Sequence, residues 1–243
     1  MIAAPKSGSG KTMITCALLQ LLKDSGKNVL SYKCGPDYID PMFHKKVLGV
    51  PSKNLDTFFT DEKTTVQLFL DERADGDFAV LEGVMGLYDG LGGIYEQGSS
   101  YHLAKVTQTP IILVVDAKGM GKSVLALIAG FLQYDTQHLI KGVLLNRMSK
   151  GYYDIIKPLI EKELSVKVVG YFPEQNDIGL SSRHLGLVMP DELSDIKKQL
   201  NETADRLKKT IDMDLFIDIA EAADEIGDSG SADAYNEKNI GKL

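Results

Sequence analysis

The segment Pro5-Lys6-Ser7-Gly8-Ser9-Gly10-Lys11-Thr12 sits directly between a short apolar run, residues 1–4, and a longer one of helical period, residues 13–22. A strand that ends in a Gly/Ser-rich turn and re-enters the fold as a helix opening on Lys-Thr is the P-loop arrangement, GxxxxGK[ST]. Its glycines let successive backbone N–H groups close around phosphate oxygens. Here Pro5 takes the first glycine position, while Gly8 and Gly10 remain, flanked by Ser7 and Ser9. Lys11 would reach the β- and γ-phosphates, Thr12 would offer its hydroxyl to Mg²⁺, and the helix N-terminus would point its unsatisfied N–H groups at the anion. The alternative is a flexible turn that only joins strand to helix.

Further along, Val/Ile/Leu-rich runs at residues 28–33, 78–82, 110–117, 141–146 and 167–172 alternate with stretches of helical period. With residues 1–4 they make six strand candidates. Helices are expected over residues 10–25, 61–74, 99–107, 121–134, 151–163, 191–209 and 214–223, with Asp61 as an N-cap. Near-continuous apolar strands separated by crossover-length helices imply a mostly parallel sheet with helices on both faces. The expected fold is therefore α/β, the three-layer P-loop NTPase architecture. A first strand of four residues is short for a sheet centre and reads as clipped. From Asp224 onward the chain turns to Asp, Gly, Ser, Ala and Asn, the composition of a linker or disordered tail. The folded domain is thus expected to span residues 1–223, and residues 224–243 to be linker.

The 243 residues fit one α/β domain with a tail, and 44% apolar against 25% charged residues is the balance of a globular chain. No run approaches the roughly 18 apolar residues that cross a bilayer, and no secretory signal opens the chain, so a cytoplasmic protein without a membrane partner is expected. A net charge of −7 is the wrong sign for a surface that binds nucleic acid. Cys16 and Cys34 have no metal-ligand spacing and are expected as reduced thiols.

In open α/β sheets, reacting groups gather at the carboxyl ends of the strands. Three such ends are acidic. Lys33-Cys34-Gly35-Pro36-Asp37-Tyr38-Ile39-Asp40-Pro41-Met42-Phe43-His44 reads as an irregular loop fixed by its prolines and carrying Asp37 and Asp40. Glu82 closes the third strand ahead of Gly83-Val84-Met85-Gly86-Leu87-Tyr88-Asp89-Gly90, and Asp116 closes the fourth. Glu82, Asp37 and Asp116 compete for the role of Mg²⁺ ligand, since that ion takes one or two carboxylates alongside phosphates and water. Turn formation or capping is the alternative for Asp37, Asp40 and Asp116. His44 reads as a helix or loop residue first and a ligand contact second. Asn146, at the end of the fifth strand, carries an amide able to pair with both a donor and an acceptor on an adenine edge, which favours ATP.

Lys6 gives the loop a likeness to the deviant P-loop of the dimeric ATPases related to nitrogenase iron protein and to cell-division ATPases, where a lysine here reaches the partner's nucleotide. A homodimeric switch ATPase is therefore one reading, and a solvated loop lysine the other. Taken together, the P-loop, Tyr32-Lys33-Cys34-Gly35-Pro36-Asp37-Tyr38-Ile39-Asp40-Pro41, the run from Leu81 to Gly90, and Arg183-His184-Leu185-Gly186-Leu187 closely resemble the cobyrinate a,c-diamide synthase family. The wider resemblance is to dethiobiotin synthetase and cobyric acid synthase. The Gly-Pro-Asp-Tyr-Ile-Asp-Pro block speaks against dethiobiotin formation.

That resemblance implies ATP-dependent amidation of the a and c carboxylates of cobyrinate, or of a related tetrapyrrole such as nickel sirohydrochlorin, through an acyl phosphate that ammonia attacks. It implies that Lys11, Asp37, Asp40, Glu82 and Asp89 are catalytic, that Thr12, Asp37 and Glu82 face Mg²⁺, and that Tyr38 and Ile39 lie near the macrocycle. Asp37 and Asp40 would organise metal and intermediate, and Asp89 substrate or ammonia. Family members continue into a glutamine amidotransferase domain, which is expected to be absent from this chain. Neither Cys16 nor Cys34 has a nucleophile-elbow context, so ammonia is expected free or from a separate glutaminase.

Overall fold

The computed structural model describes residues 1–71, 78–175, 193–223 and 226. Strands β1 (Ile2–Ala3), β2 (Val29–Cys34), β3 (Ser52–Leu55), β4 (Phe78–Glu82), β5 (Ile111–Asp116), β6 (Ile140–Asn146) and β7 (Lys167–Phe172) form one sheet in the order β3-β2-β4-β1-β5-β6-β7. Every strand pair in it is parallel. Helices α1 (Lys11–Asp24), α2 (Ile39–Phe43), α3 (Glu62–Asp71), α4 (Ser100–Val106), α5 (Ser123–Tyr134), α6 (Lys150–Leu164), α7 (Leu193–Lys208) and α8 (Met213–Glu221) supply the connections.

The apolar runs form strands because both faces of the sheet are covered, so residues of either parity are buried. Alternate side chains feed two cores. Ala3, Leu113 and Val115 pack with Leu103 of α4, Ile128 of α5 and Ile160 of α6. Ile2, Ile112 and Val114 pack with Leu18 of α1, Leu207 of α7 and Phe216 of α8. The three-layer α/β architecture is the result.

Two local expectations change. The sheet has a seventh strand, β3, which pairs only with β2 at the sheet edge and exposes Lys53 and Asn54, so it carries no apolar pattern. The run read as an irregular loop contains α2, followed by a π-helical turn, His44–Leu48. Pro41 is compatible with that helix because it falls in the first turn, where its missing N–H breaks no bond. Asp37 Oδ1 accepts from the N–H groups of Ile39 at 2.8 Å and Asp40 at 3.4 Å, which starts the turn.

Asp61 does cap α3, its Oδ1 accepting from Thr64 N at 2.7 Å. The expected ends of the helices at residues 72–74 and 191–192, the block 183–187, and the tail 224–243 apart from Ile226 lie outside the described residues. Among the described residues no helix is long and apolar enough to cross a membrane.

Candidate functional site at the carboxyl edge of the sheet

Because all strands run the same way, the segments that follow β1, β2, β4, β5, β6 and β7 open on one edge, where β1 sits between β4 and β5. A cleft of about 560 Å³ there is lined by Ser7, Gly8, Gly10, Lys11 and Thr12 of the loop after β1, by Lys33, Asp37, Ile39 and Asp40, and by Asn146, Arg147 and Gln175 on the far wall. A larger apolar cavity, about 800 Å³, lies between the sheet, α3 and α8 and includes Phe69, Phe78 and Phe216. It holds none of the phosphate-loop residues and none of the candidate catalytic or metal-facing residues, and among its described lining side chains only Glu221 is charged, so the chemistry belongs to the smaller cleft.

The loop's shape follows from its residues. Gly8 (φ 77°) and Gly10 (φ 91°) occupy left-handed backbone that few other residues adopt. No atom lies within 4 Å of where a Cβ on Gly8 would sit, so that stretch of backbone faces open space. Ser9 turns inward, its hydroxyl donating to Lys6 O at 3.0 Å, while the Lys6 side chain is exposed. Helix α1 begins without a side-chain cap and without an acidic residue in its first turn, which leaves its terminal N–H groups for an anion.

Lys11 Nζ donates to Met85 O at 2.5 Å and Lys6 O at 3.5 Å. Met85 itself has φ 49°, a strained conformation for a side-chain-bearing residue, of the kind found at functional sites. Burial lowers the Lys11 ammonium below its ordinary range, with Glu82 pulling the other way. A phosphate arriving in the cleft would replace those carbonyls as its partner.

Below the loop lies a buried charge cluster. Thr12 Oγ1 donates to Glu82 Oε1 at 2.6 Å, and Lys33 Nζ donates to the same oxygen at 2.9 Å. Lys33 also meets Asp40 Oδ2 at 2.5 Å. Burial disfavours the Lys33 charge, but the Glu82 and Asp40 carboxylates outweigh that and hold it well above its ordinary value. Burial, then the neighbouring Glu82 charge, pushes Asp40 up to about 6 against the opposing pull of Lys33. His44 is fully buried beside them, with Ser31 Oγ 2.8 Å from Nδ1, and burial lowers its pKa.

The three carboxylates that compete in the sequence therefore have different surroundings. Glu82 meets the P-loop threonine. Asp37 stands half-buried in the cleft wall. Asp116 is held by Arg147, whose Nε reaches Oδ1 at 2.8 Å and whose Nη2 reaches Oδ2 at 2.5 Å and Gly8 O at 3.1 Å. Asn146 is buried, giving one amide N–H to Ser9 O at 2.8 Å and accepting from Arg147 N at 3.0 Å. Asp89 Oδ2 accepts from Gly86 N at 2.9 Å, beside Pro5 and outside the cleft lining. Tyr38, at 79% exposure, also stands outside it, whereas Ile39 lines it.

Lys33 and Arg147 were not among the sequence-derived site residues. A lysine in the otherwise uncharged strand Val-Leu-Ser-Tyr-Lys-Cys was a legible signal for the first; nothing in the sequence ties Arg147 to Asp116. Both thiols are buried, Cys34 being pushed up to about 11 by that burial, the reverse of what a nucleophile needs.

The donor set suits a hard cation that brings its own phosphate oxygens. Glu82 Oε1 and the Thr12 hydroxyl place two oxygens beside the phosphate loop, the Lys33 ammonium next to them ligates no cation, and the inner oxygen, Glu82 Oε2, is buried without a hydrogen bond among the described residues and faces His44 Nε2. Among the described residues there is no cluster of three or more His, Cys, Asp or Glu that would hold a metal by itself.

Residues 1–188 match the family model for the CobQ/CobB/MinD/ParA nucleotide binding domain. The cobyrinate a,c-diamide synthase of Listeria innocua is 38% identical over 231 residues, 94% of this chain and 51% of that protein. The enzyme of the same name from Thermoplasma volcanium is 41% identical over 229 residues, 93% of this chain and 49% of that one. The chain thus spans about half the length of the curated relatives it matches. Chloroplast FtsY from Physcomitrella patens has a TM-score of 0.53 at 16% identity, covering 82% of this chain and 64% of that one. The MinD cell division protein of Aquifex aeolicus has 0.51 at 17%, covering 86% and 95%. At such identities the two structures speak for the fold alone.

Proposed function

This chain belongs to the CobQ/CobB/MinD/ParA nucleotide-binding domain family, and from that premise we propose that it is the ATP-dependent synthetase unit of a cobyrinate a,c-diamide synthase. Residues 1–223 form the unit, with 224–243 as its linker. The observation that carries the reading is the joining of a phosphate loop to a buried acid cluster through Thr12 and Glu82, 2.6 Å apart. A nucleotide-driven switch has no need of Asp37 and Asp40 in the same cleft.

In the proposed reaction a carboxylate oxygen of the tetrapyrrole attacks the γ-phosphorus of ATP, the bond to the β,γ-bridging oxygen breaks, and ADP leaves. Ammonia then adds to the acyl carbon, inorganic phosphate departs, and the nitrogen loses a proton. Bound Mg²⁺ supplies charge neutralisation on the phosphates. Lys11 and the N–H groups of the loop and of α1 hold the β- and γ-phosphates, and Thr12 and Glu82 face the metal, with Asp37 at the cleft wall. Asp40, kept close by Lys33, faces the reacting carboxyl, and Asp89 handles substrate or ammonia from the end of its loop. Ile39 and Tyr38 offer apolar surface to the macrocycle. Asn146 shapes the loop through Ser9 and keeps a second amide N–H for the base. Ammonia comes from a glutaminase domain or subunit.

Phosphate release from MgATP with ammonium, measured with and without cobyrinate and followed by mass analysis of the corrinoid, tests this. Stimulated release with a loss of about one mass unit for each acid converted to amide is expected. If ATP binds but neither cobyrinate nor nickel sirohydrochlorin changes mass or stimulates turnover, the dimeric switch using the exposed Lys6 takes its place.

A further inference from the structure

Two buried polar atoms face each other beneath the cleft. His44 Nε2 and Glu82 Oε2 lie 3.8 Å apart on side chains that are both 0% exposed. Neither atom has a hydrogen-bond partner among the described residues. The gap is too long for a hydrogen bond, and a bridging water, needing about 2.8 Å on each side, would have little room in it. A buried polar atom left unpaired costs about 1–3 kcal/mol, so a facing pair in one site calls for an explanation.

The other end of the imidazole is held. Ser31 Oγ lies 2.8 Å from Nδ1, and Ser52 Oγ 3.5 Å from it. With the proton on Nδ1, the bare Nε2 lone pair would point at a carboxylate oxygen, which is repulsive. With the proton on Nε2, the ring donates toward Glu82 and accepts from the Ser31 hydroxyl. The backbone contributes as well, because His44 opens the π-helical turn that follows α2, and such wide turns are frequent at functional sites.

Glu82 Oε1 is already committed to Thr12 and Lys33. The terminal torsion of a glutamate is broad and roughly two-fold, so one held oxygen does not fix the carboxylate plane. We propose that His44 is a positioning residue whose Nε2–H anchors the inner oxygen of Glu82 and keeps the outer one turned toward Thr12 and the cleft. The proposal rests on the nucleotide-binding reading above. A closure of about 1 Å would bring the pair to ordinary hydrogen-bond length.

The test uses the full chain and the fluorescent nucleotide N-methylanthraniloyl-ADP, titrated with Mg²⁺ in the absence of turnover. His44→Ala is expected to raise the half-saturating Mg²⁺ about ten-fold, the loss typical for a residue that orients a metal ligand. His44→Gln, which can place an N–H near the Nε2 position, is expected to restore it. His44→Asn, which replaces only the Nδ1 side facing Ser31, is not. An unchanged Mg²⁺ dependence in His44→Ala, or rescue by Asn in place of Gln, overturns the proposal while leaving the nucleotide reading intact. If the unsubstituted chain binds no magnesium nucleotide, both fall. Should the variants not fold, the ¹⁵N resonances of His44 in the unsubstituted chain decide: an Nε2–H ring is expected, and an Nδ1–H ring overturns the proposal.

Discussion

Thr12 Oγ1 and Glu82 Oε1 are joined by a 2.6 Å hydrogen bond across 70 residues of sequence, from the first turn of α1 to the last residue of β4. Thr12→Val keeps the shape and removes the donor. We expect MgATP-dependent phosphate release to fall at least about ten-fold and folding stability to drop by about 1.5–3 kcal/mol, the range for a hydrogen bond to a charged group. Thr12→Ser should retain most of both. Steady-state phosphate release and urea unfolding check the pair.

Asp40→Asn separates chemistry from binding. If Asp40 serves the reacting carboxyl, amidation falls about a hundred-fold or more while ATP affinity stays within about three-fold. Equal losses would move Asp40 to nucleotide binding or folding. Isothermal titration with ATP beside mass-detected amidation gives both numbers.

The same residue imposes a pH dependence on stability. The Asp40 carboxyl is pushed up to about 6 in the fold from 3.8, so between those values the folded chain binds more protons at this group than the unfolded chain does. Its contribution to stability is therefore lost as pH rises from about 4 toward and through 6. Relative to the wild type, Asp40→Asn should gain stability over that window, by at most about 3 kcal/mol. Melting temperatures of both proteins at pH 4.5 and 7.5 test the sign, and a difference that does not change with pH would rule the shift out.

Gly86→Ala should damage the site from behind. A Cβ there would lie 2.5 Å from Asp89 Oδ2 and 2.6 Å from Pro5 O, and the latter is backbone that cannot swing away. A loss of about 1–3 kcal/mol and weaker nucleotide binding are expected. Gly130→Ala in α5, where a Cβ meets nothing within 4 Å, should instead stabilise the protein by about 0.5–1 kcal/mol. Urea unfolding of the two variants makes the comparison.

The parallel sheet and the phosphate loop were legible in the sequence because their signals are local: unbroken apolar runs, a Gly-rich turn and Lys-Thr at a helix start. Strand β3 was not, since Ser-Lys-Asn-Leu at a sheet edge needs no apolar alternation. Helix α2 was hidden by Pro41, which ends helices except in the first turn, where it lies. Within the site, the acids at strand ends could be named, but not sorted. That Glu82 meets Thr12 while Asp116 meets Arg147 depends on which strands are neighbours, and the order β3-β2-β4-β1-β5-β6-β7 is a property of the whole chain. Lys33 and His44 face Glu82 for the same reason.

Strand β1 has a consequence for how the protein assembles. Ile2 pairs with Glu82 on one side and Ile112 on the other, so the strand that launches the phosphate loop gains its first neighbour only with β4 and lacks its second until β5 has been added to the chain. Such distant pairings must close long loops before they return any stabilisation, which makes parallel sheets slow to form. The anion-binding loop cannot be completed early and kept waiting. Its ability to hold a nucleotide is a late event, and appearance of that ability during refolding would time the closing of the centre of the sheet.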